Sequence, residues 1–121
     1  MRIYKINLLG FEWTRVIMEA YRKSKWYTSG ILFWMYNDCW PAAGGWSFVD
    51  YYCQPKASYY SFKRTAKSVI GCIDLDNGAY KLYGCNDSKA QTVKVKCIKL
   101  SSDLKTTEIL IDEEVSLKAN E

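Results

Sequence analysis

The sequence predicts an α+β fold, in which a helix–strand–helix unit is followed by antiparallel strands. Three observations carry this. Residues 12–24 place apolar side chains at helical spacing. Residues 31–36 are apolar without a break. From residue 69 onward, short runs of alternating character are separated by turns of Asn, Asp, Gly and Ser. Composition changes at the same place. All five Trp lie between Trp13 and Trp46, and eight of the ten Tyr precede residue 61, whereas the later part is rich in Lys, Val, Ile and Thr.

In the first expected helix, Trp13, Val16, Ile17, Ala20 and Tyr21 recur at i, i+3, i+4, i+7 and i+8 as one apolar stripe. Arg15, Glu19, Arg22 and Lys23 take the other side. Glu12 at the start and Arg22, Lys23 and Lys25 at the end suit the helix macrodipole. Gly30 interrupts, and residues 31–36 read as a strand. Because this run does not alternate, the strand is expected to be covered on both faces, as in a parallel sheet. Leu32, Trp34 and Tyr36 would share one face, and Ile31, Phe33 and Met35 the other. Pro41 and the run Ala42-Ala43-Gly44-Gly45 mark a loop. A second helix is expected from about Pro55, in its first turn, to Lys67, with Tyr59, Phe62 and Ala66 as its apolar side.

Strands are then expected at 69–75, 79–85, 92–100 and 108–115. Asp76-Asn77-Gly78 is a tight-turn signal between the first two. Val93, Val95 and Cys97 would point inward, with Lys94 and Lys96 outward, and Ile98 breaks the alternation as a bulge would. Short antiparallel strands with regular turns suggest a β-sandwich, although four strands are too few to close one.

Composition excludes several classes of function. The chain has 121 residues, enough for one domain or for two short pieces of larger ones. Its net charge of +4 is spread over helix ends and strand faces, which describes a solvated surface rather than a nucleic-acid patch or a membrane-surface helix. No apolar stretch approaches the roughly 20 residues of a membrane span. Five cysteines without a C-x-x-C pair, and no His, leave little from which to build a zinc or Cys–His site, so no metal and no cofactor is expected. The thiols are expected to be free and mostly buried. The opening MRIYKINLLG lacks a long apolar h-region. Together these point to a reducing, cytoplasmic compartment.

The stretches GILFWMYNDCWPA (30–42), WSFVDYY (46–52) and PKASYY (55–60) resemble the β-mannosidase branch of glycoside hydrolase family 2. In that branch the pattern LFWxxNDCWP…WSxVDYY…PKAxYY marks the eighth strand of the catalytic (β/α)8 barrel, its loop and the eighth helix. GFEWTRVIMEAYR (10–22) resembles the helix before that strand, and residues from about 70 resemble the opening strands of the immunoglobulin-like domain that follows. The resemblance implies that residues 1–68 are a C-terminal segment of the barrel and residues 69–121 a partial immunoglobulin-like β-sandwich. For the whole protein it implies hydrolysis of terminal β-mannosides or related β-glycosides with retained stereochemistry. It also accounts for the apolar run, one side of which would face the barrel interior and the other the helical layer. The polar and aromatic tail would then sit at the strand's C-terminal end, where barrel enzymes place their chemistry. On this resemblance Trp34 is a sugar platform, and Asn37, Asp38 and Trp40 shape the same pocket.

Glycosidic hydrolysis needs two carboxyl groups flanking the scissile bond. In the family these are glutamates on the fourth and seventh barrel strands, upstream of the matching segment. Residues 1–68 carry only Glu12, Glu19, Asp38 and Asp50. The first two fall on a helix expected outside the barrel. The other two match non-catalytic motif positions, with a loop-bracing role expected for Asp50 and also for Asp38. No catalytic residue is therefore assigned, and hydrolysis by the chain alone is not expected. Trp13, Trp26, Trp46 and Cys39 are expected to be packing residues. Two further readings stand beside this one: a stand-alone carbohydrate-binding or interaction module built on exposed aromatics, and a non-functional remnant. One barrel strand with two helices cannot cover both faces of residues 31–36, and four strands leave open edges, so self-association is expected.

Overall fold

The computed structural model describes residues 2–42 and 44–121; Met1, and Ala43 of the expected loop, lie outside the described residues. The chain divides into two compact units, Met1–Lys67 and Ser68–Glu121. Among the described residues the first holds two helices, α1 (Arg2–Lys23) and α2 (Ala57–Thr65). The second holds four strands, β1 (Val69–Asp76), β2 (Ala79–Asn86), β3 (Gln91–Leu100) and β4 (Thr107–Leu117). The α+β class is as the sequence predicts, and among the described residues no helix is long and apolar enough to cross a membrane.

Helix α1 starts ten residues earlier than expected. Glu12 is consequently mid-helix, where it pairs with Arg15 at 2.9 Å, instead of facing the positive end of the dipole. The apolar stripe is not the face that α1 buries. Thr14 and Met18 are buried, whereas Trp13 remains 65% exposed and Val16 and Tyr21 are exposed too. Helix α2 meets α1 through hydroxyl side chains: Ser58, Ser61 and Thr65 are buried. Ser61 Oγ donates to the Phe11 carbonyl at 2.8 Å, and Thr65 Oγ1 to the Ser61 carbonyl at 2.9 Å. Small polar residues let two backbones approach, and the hydroxyls of Ser58, Ser61 and Thr65 each find a carbonyl. Arg22 adds a tie from α1, donating to the carbonyls of Thr65 and Lys67 at the C-terminal end of α2.

Residues 31–36 correct the expectation of a strand. They form no ladder, because no described neighbouring strand runs alongside them; a single parallel bridge, Asn37 to Val49, follows the run. The alternation of faces nevertheless holds. Ile31, Phe33 and Met35 are half-buried, while Leu32, Trp34 and Tyr36 are exposed. Phe33 packs edge-on against Phe48 and Phe62, with ring centroids 4.9 and 5.6 Å away, and these three rings with Met18 and Val49 form the core of the unit. Pro55 precedes α2 rather than opening it, bridging to Val49 instead.

In the second unit, β1 pairs with β2 and β3 with β4, each antiparallel, giving two two-stranded sheets. Asn77 (φ 50°) and Gly78 (φ 80°) both take the left-handed region in the β1–β2 turn, the geometry of the two-residue hairpin that suits strand twist. The register shifts between Cys97 and Ile98, where the sequence suggests a bulge. The sheets line a cavity of about 620 Å³ with residues such as Ile73, Leu82, Val93, Val95 and Val115. Asn86, fully buried, ties the end of β2 to the chain end. Its Nδ2 donates to the carbonyls of Lys89 (3.0 Å) and Lys118 (2.7 Å), and its Oδ1 accepts from Ser88 N and Oγ.

Candidate functional site

Three short extended pieces lie side by side after residue 35. Asp38 N donates to the Val49 carbonyl (3.0 Å), Phe48 N and Val49 N donate to the Tyr36 carbonyl (both 3.0 Å), and Lys56 N donates to the Phe48 carbonyl (2.9 Å). This brings Asp38, Ser47 and Lys56 together, although they are spread over the segment in sequence. Lys56 Nζ donates to Asp38 Oδ2 at 2.6 Å and to Ser47 Oγ at 2.7 Å, and Ser47 Oγ donates to Asp38 Oδ1. Asp38 is only 7% exposed, so the knot is a buried, fully paired charge. The Lys56 ammonium, and after it the Ser47 hydroxyl, hold the Asp38 carboxyl below the usual carboxylate range.

The expected site residues take different places around this knot. Trp34 is 84% exposed, follows Phe33 on the outward face, and lines an open groove of about 700 Å³ with Trp13, Ile17, Leu32 and Trp46. The Trp34–Met35 peptide is cis. Asn37 is exposed and donates from Nδ2 to the Asp38 carbonyl at 3.2 Å. Trp40, two residues past Asp38, is 66% exposed. Asn37, Asp38 and Trp40 therefore share one loop with the knot, whereas Trp34 belongs to the groove.

Trp13, Trp26, Trp46 and Cys39, expected to pack, are all exposed. They sit on surfaces that residues 2–67 do not cover. Among the described residues the five cysteines form no disulfide, but only Cys72 and Cys85 are buried, which corrects the expectation of mostly buried thiols. Sequence reasoning missed the two partners of Asp38. Lys56 did leave a signal, as a cation placed immediately before a helix N-terminus, where the dipole disfavours positive charge.

The unit's four carboxylates are all engaged locally. Glu12 and Glu19 both hold Arg15, Asp38 is in the knot, and Asp50 Oδ1 accepts from Tyr52 N (2.9 Å) and Gln54 N (2.8 Å). Among the described residues no group of three or more His, Cys, Asp and Glu could hold a metal ion. What this arrangement presents to solvent is exposed indoles and an amide on a loop with a rigid base, which is binding chemistry.

No family model matches the chain. It is 34% identical over 101 residues to an exo-β-D-glucosaminidase of Arthroderma benhamiae, a match that covers 79% of this chain and 11% of that protein. It is 45% identical over 56 residues to β-mannosidase B of Thermothelomyces thermophilus, covering 40% of this chain and 6% of that one. Among solved structures it superposes on a β-D-mannosidase from Dictyoglomus thermophilum with a TM-score of 0.75 and 32% identity, over 88% of this chain and 13% of that chain. The chain thus spans about an eighth or less of the length of these relatives. In sequence and in fold the chain is β-mannosidase-like, of glycoside hydrolase family 2.

Proposed function

We propose that the chain is a C-terminal segment of a β-mannosidase-like, retaining glycoside hydrolase. Residues 1–68 are the end of its (β/α)8 barrel, and residues 69–121 are the start of its immunoglobulin-like domain. The segment contributes a sugar-binding rim, and the reacting carboxyls belong to other parts of the protein. The observation that carries this reading is the superposition on a β-D-mannosidase over 88% of the chain.

In the whole protein, one carboxyl protonates the departing glycosidic oxygen while a second attacks the anomeric carbon, and water then releases the covalent sugar. Residues of this chain bind and orient. The exposed Trp34 ring stacks on the apolar C–H face of the sugar. Asn37 hydrogen-bonds its hydroxyls, and Trp40 closes the rim. Asp38 acts from beneath, through the knot with Lys56 and Ser47 that sets the loop's course. The substrate is a terminal β-mannoside or a related β-glycoside, and the uncovered groove leads the isolated chain to self-associate.

The test is complementation. The isolated chain should release no p-nitrophenol from p-nitrophenyl β-D-mannoside. A β-mannosidase B truncated at the start of its matching segment should regain hydrolysis when the chain is co-expressed, and the Trp34→Ala chain should not restore it. Turnover by the chain alone, or restoration equal with Trp34→Ala, would overturn the proposal. Glycan binding by the chain without any complementation would instead favour a stand-alone carbohydrate-binding module.

A further inference from the structure

Past the knot the chain builds a second concave feature. Pro41, Ala42, Asp50, Tyr51 and Tyr52 bound an open recess of about 260 Å³. Drug-sized sites run to about 300–1,000 Å³, so this one is on the scale of a single sugar ring. Two of its walls are aromatic. The rings of Tyr51 and Tyr52 meet edge to face, with centroids 5.3 Å apart and 87° between their planes, and so make a right-angled corner. Both are exposed, Tyr52 by 66%. A pyranose has one face of C–H bonds that lies well on such a ring, while its hydroxyls project sideways and need polar partners.

Asp50 supplies that partner. Its Oδ1 is taken by the N–H groups of Tyr52 and Gln54, which fixes the carboxylate's orientation. Its Oδ2 accepts no hydrogen bond among the described residues, so it can accept from hydroxyl groups. The turn that carries these residues is formed in advance: Asp50 N donates to the Gln54 carbonyl (2.9 Å), and Cys53 N donates to the Asp50 carbonyl (3.1 Å). Little ordering remains to be done on binding. An aromatic corner beside a carboxylate suits a neutral polyol and repels an anionic ligand such as a phosphate.

We infer that this recess is a second sugar subsite, joined to the Trp40 rim through Pro41, which takes the neighbouring ring of an oligomeric β-mannoside. The inference rests on the carbohydrate reading above.

The experiment is saturation-transfer NMR on the full chain, which observes the sugar protons and works whatever the size of the protein assembly. Mannose and β-1,4-mannobiose are titrated in parallel. Mannobiose should bind about five- to ten-fold more tightly than mannose, the scale of one added aromatic contact. Tyr52→Ala should bring the ratio of the two affinities to about one. Asp50→Asn, with the loop checked by its amide spectrum, should reduce the same ratio. Equal affinities in the unaltered chain, or a ratio that Tyr52→Ala leaves in place, would overturn the inference while leaving the complementation result standing. Failed complementation with the mannobiose advantage intact would sink the fragment reading alone.

Discussion

Lys56 is an unfavourable residue for its place, a cation directly before α2, and it has no side-chain capping bond there. Its ammonium is instead spent on Asp38 and Ser47. A buried pair is weak evidence of net stability, but removing one partner leaves an unpaired charge inside the protein. Lys56→Met should therefore lower the stability of the first unit by about 3 kcal/mol, seen as a shift in its denaturant midpoint. The knot also sets a pH dependence. Asp38 has a folded value below the unfolded one of about 3.9, so its contribution is complete above that value and is lost as pH falls through the lower folded value. The midpoint should be level from neutral pH to about pH 5 and decline below about pH 4. A midpoint that is unchanged in stronger acid would mean that Asp38 does not hold the loop. All three residues lie inside the motif stretches, yet nothing local joins positions 38, 47 and 56. Only the hydrogen bonds among the three extended pieces bring them together.

Elements with local causes could be read from sequence almost to the residue. The β1–β2 hairpin follows from Asp76-Asn77-Gly78, and the observed strands run one residue beyond those expected at 69–75 and 79–85. Its turn holds Gly78 at a φ of 80°, where a side chain is strained. Gly78→Ala should cost about 1 kcal/mol and speed hydrogen exchange of the β1–β2 amides roughly five-fold. Unchanged exchange would count against the turn geometry. Helix α1 was harder to delimit. Gly costs about 1 kcal/mol inside a helix, and Gly10 lies within α1. The chain before it still continues the spacing, with Ile6, Leu9, Trp13 and Ile17 lining the same groove. Which side of α1 would be covered was not readable, because α2 selected the small polar side, Thr14 and its neighbours, for close approach.

At the scale of the molecule, the first unit carries a large apolar surface that the described residues leave uncovered. Leu9, Trp13, Val16, Leu32 and Trp34 are all exposed, and each two-stranded sheet has free edges. Surfaces of this kind mark contact sites. The isolated chain should elute from a sizing column as a mass that grows with concentration, and the double variant Trp13→Lys, Leu32→Lys should return it towards the monomer. A dilute monomer with a sharp melt that persists at high concentration would contradict this.

Local chemistry was enough to establish that the chain mixes helices with antiparallel hairpins, that its run at 31–36 has two faces, and that its motif is β-mannosidase-like. Periodicity, turn residues and motif spacing are properties of neighbouring positions, and so they survive whatever the rest of the fold does. Packing decided that residues 31–36 stay extended without a ladder, that the α1 stripe lines a groove, and that Asp38 turns inward to Lys56 and Ser47. Those outcomes depend on which distant segments are present to supply a hydrogen-bonding edge, a covering face or a counter-charge, and no short stretch of residues carries that information.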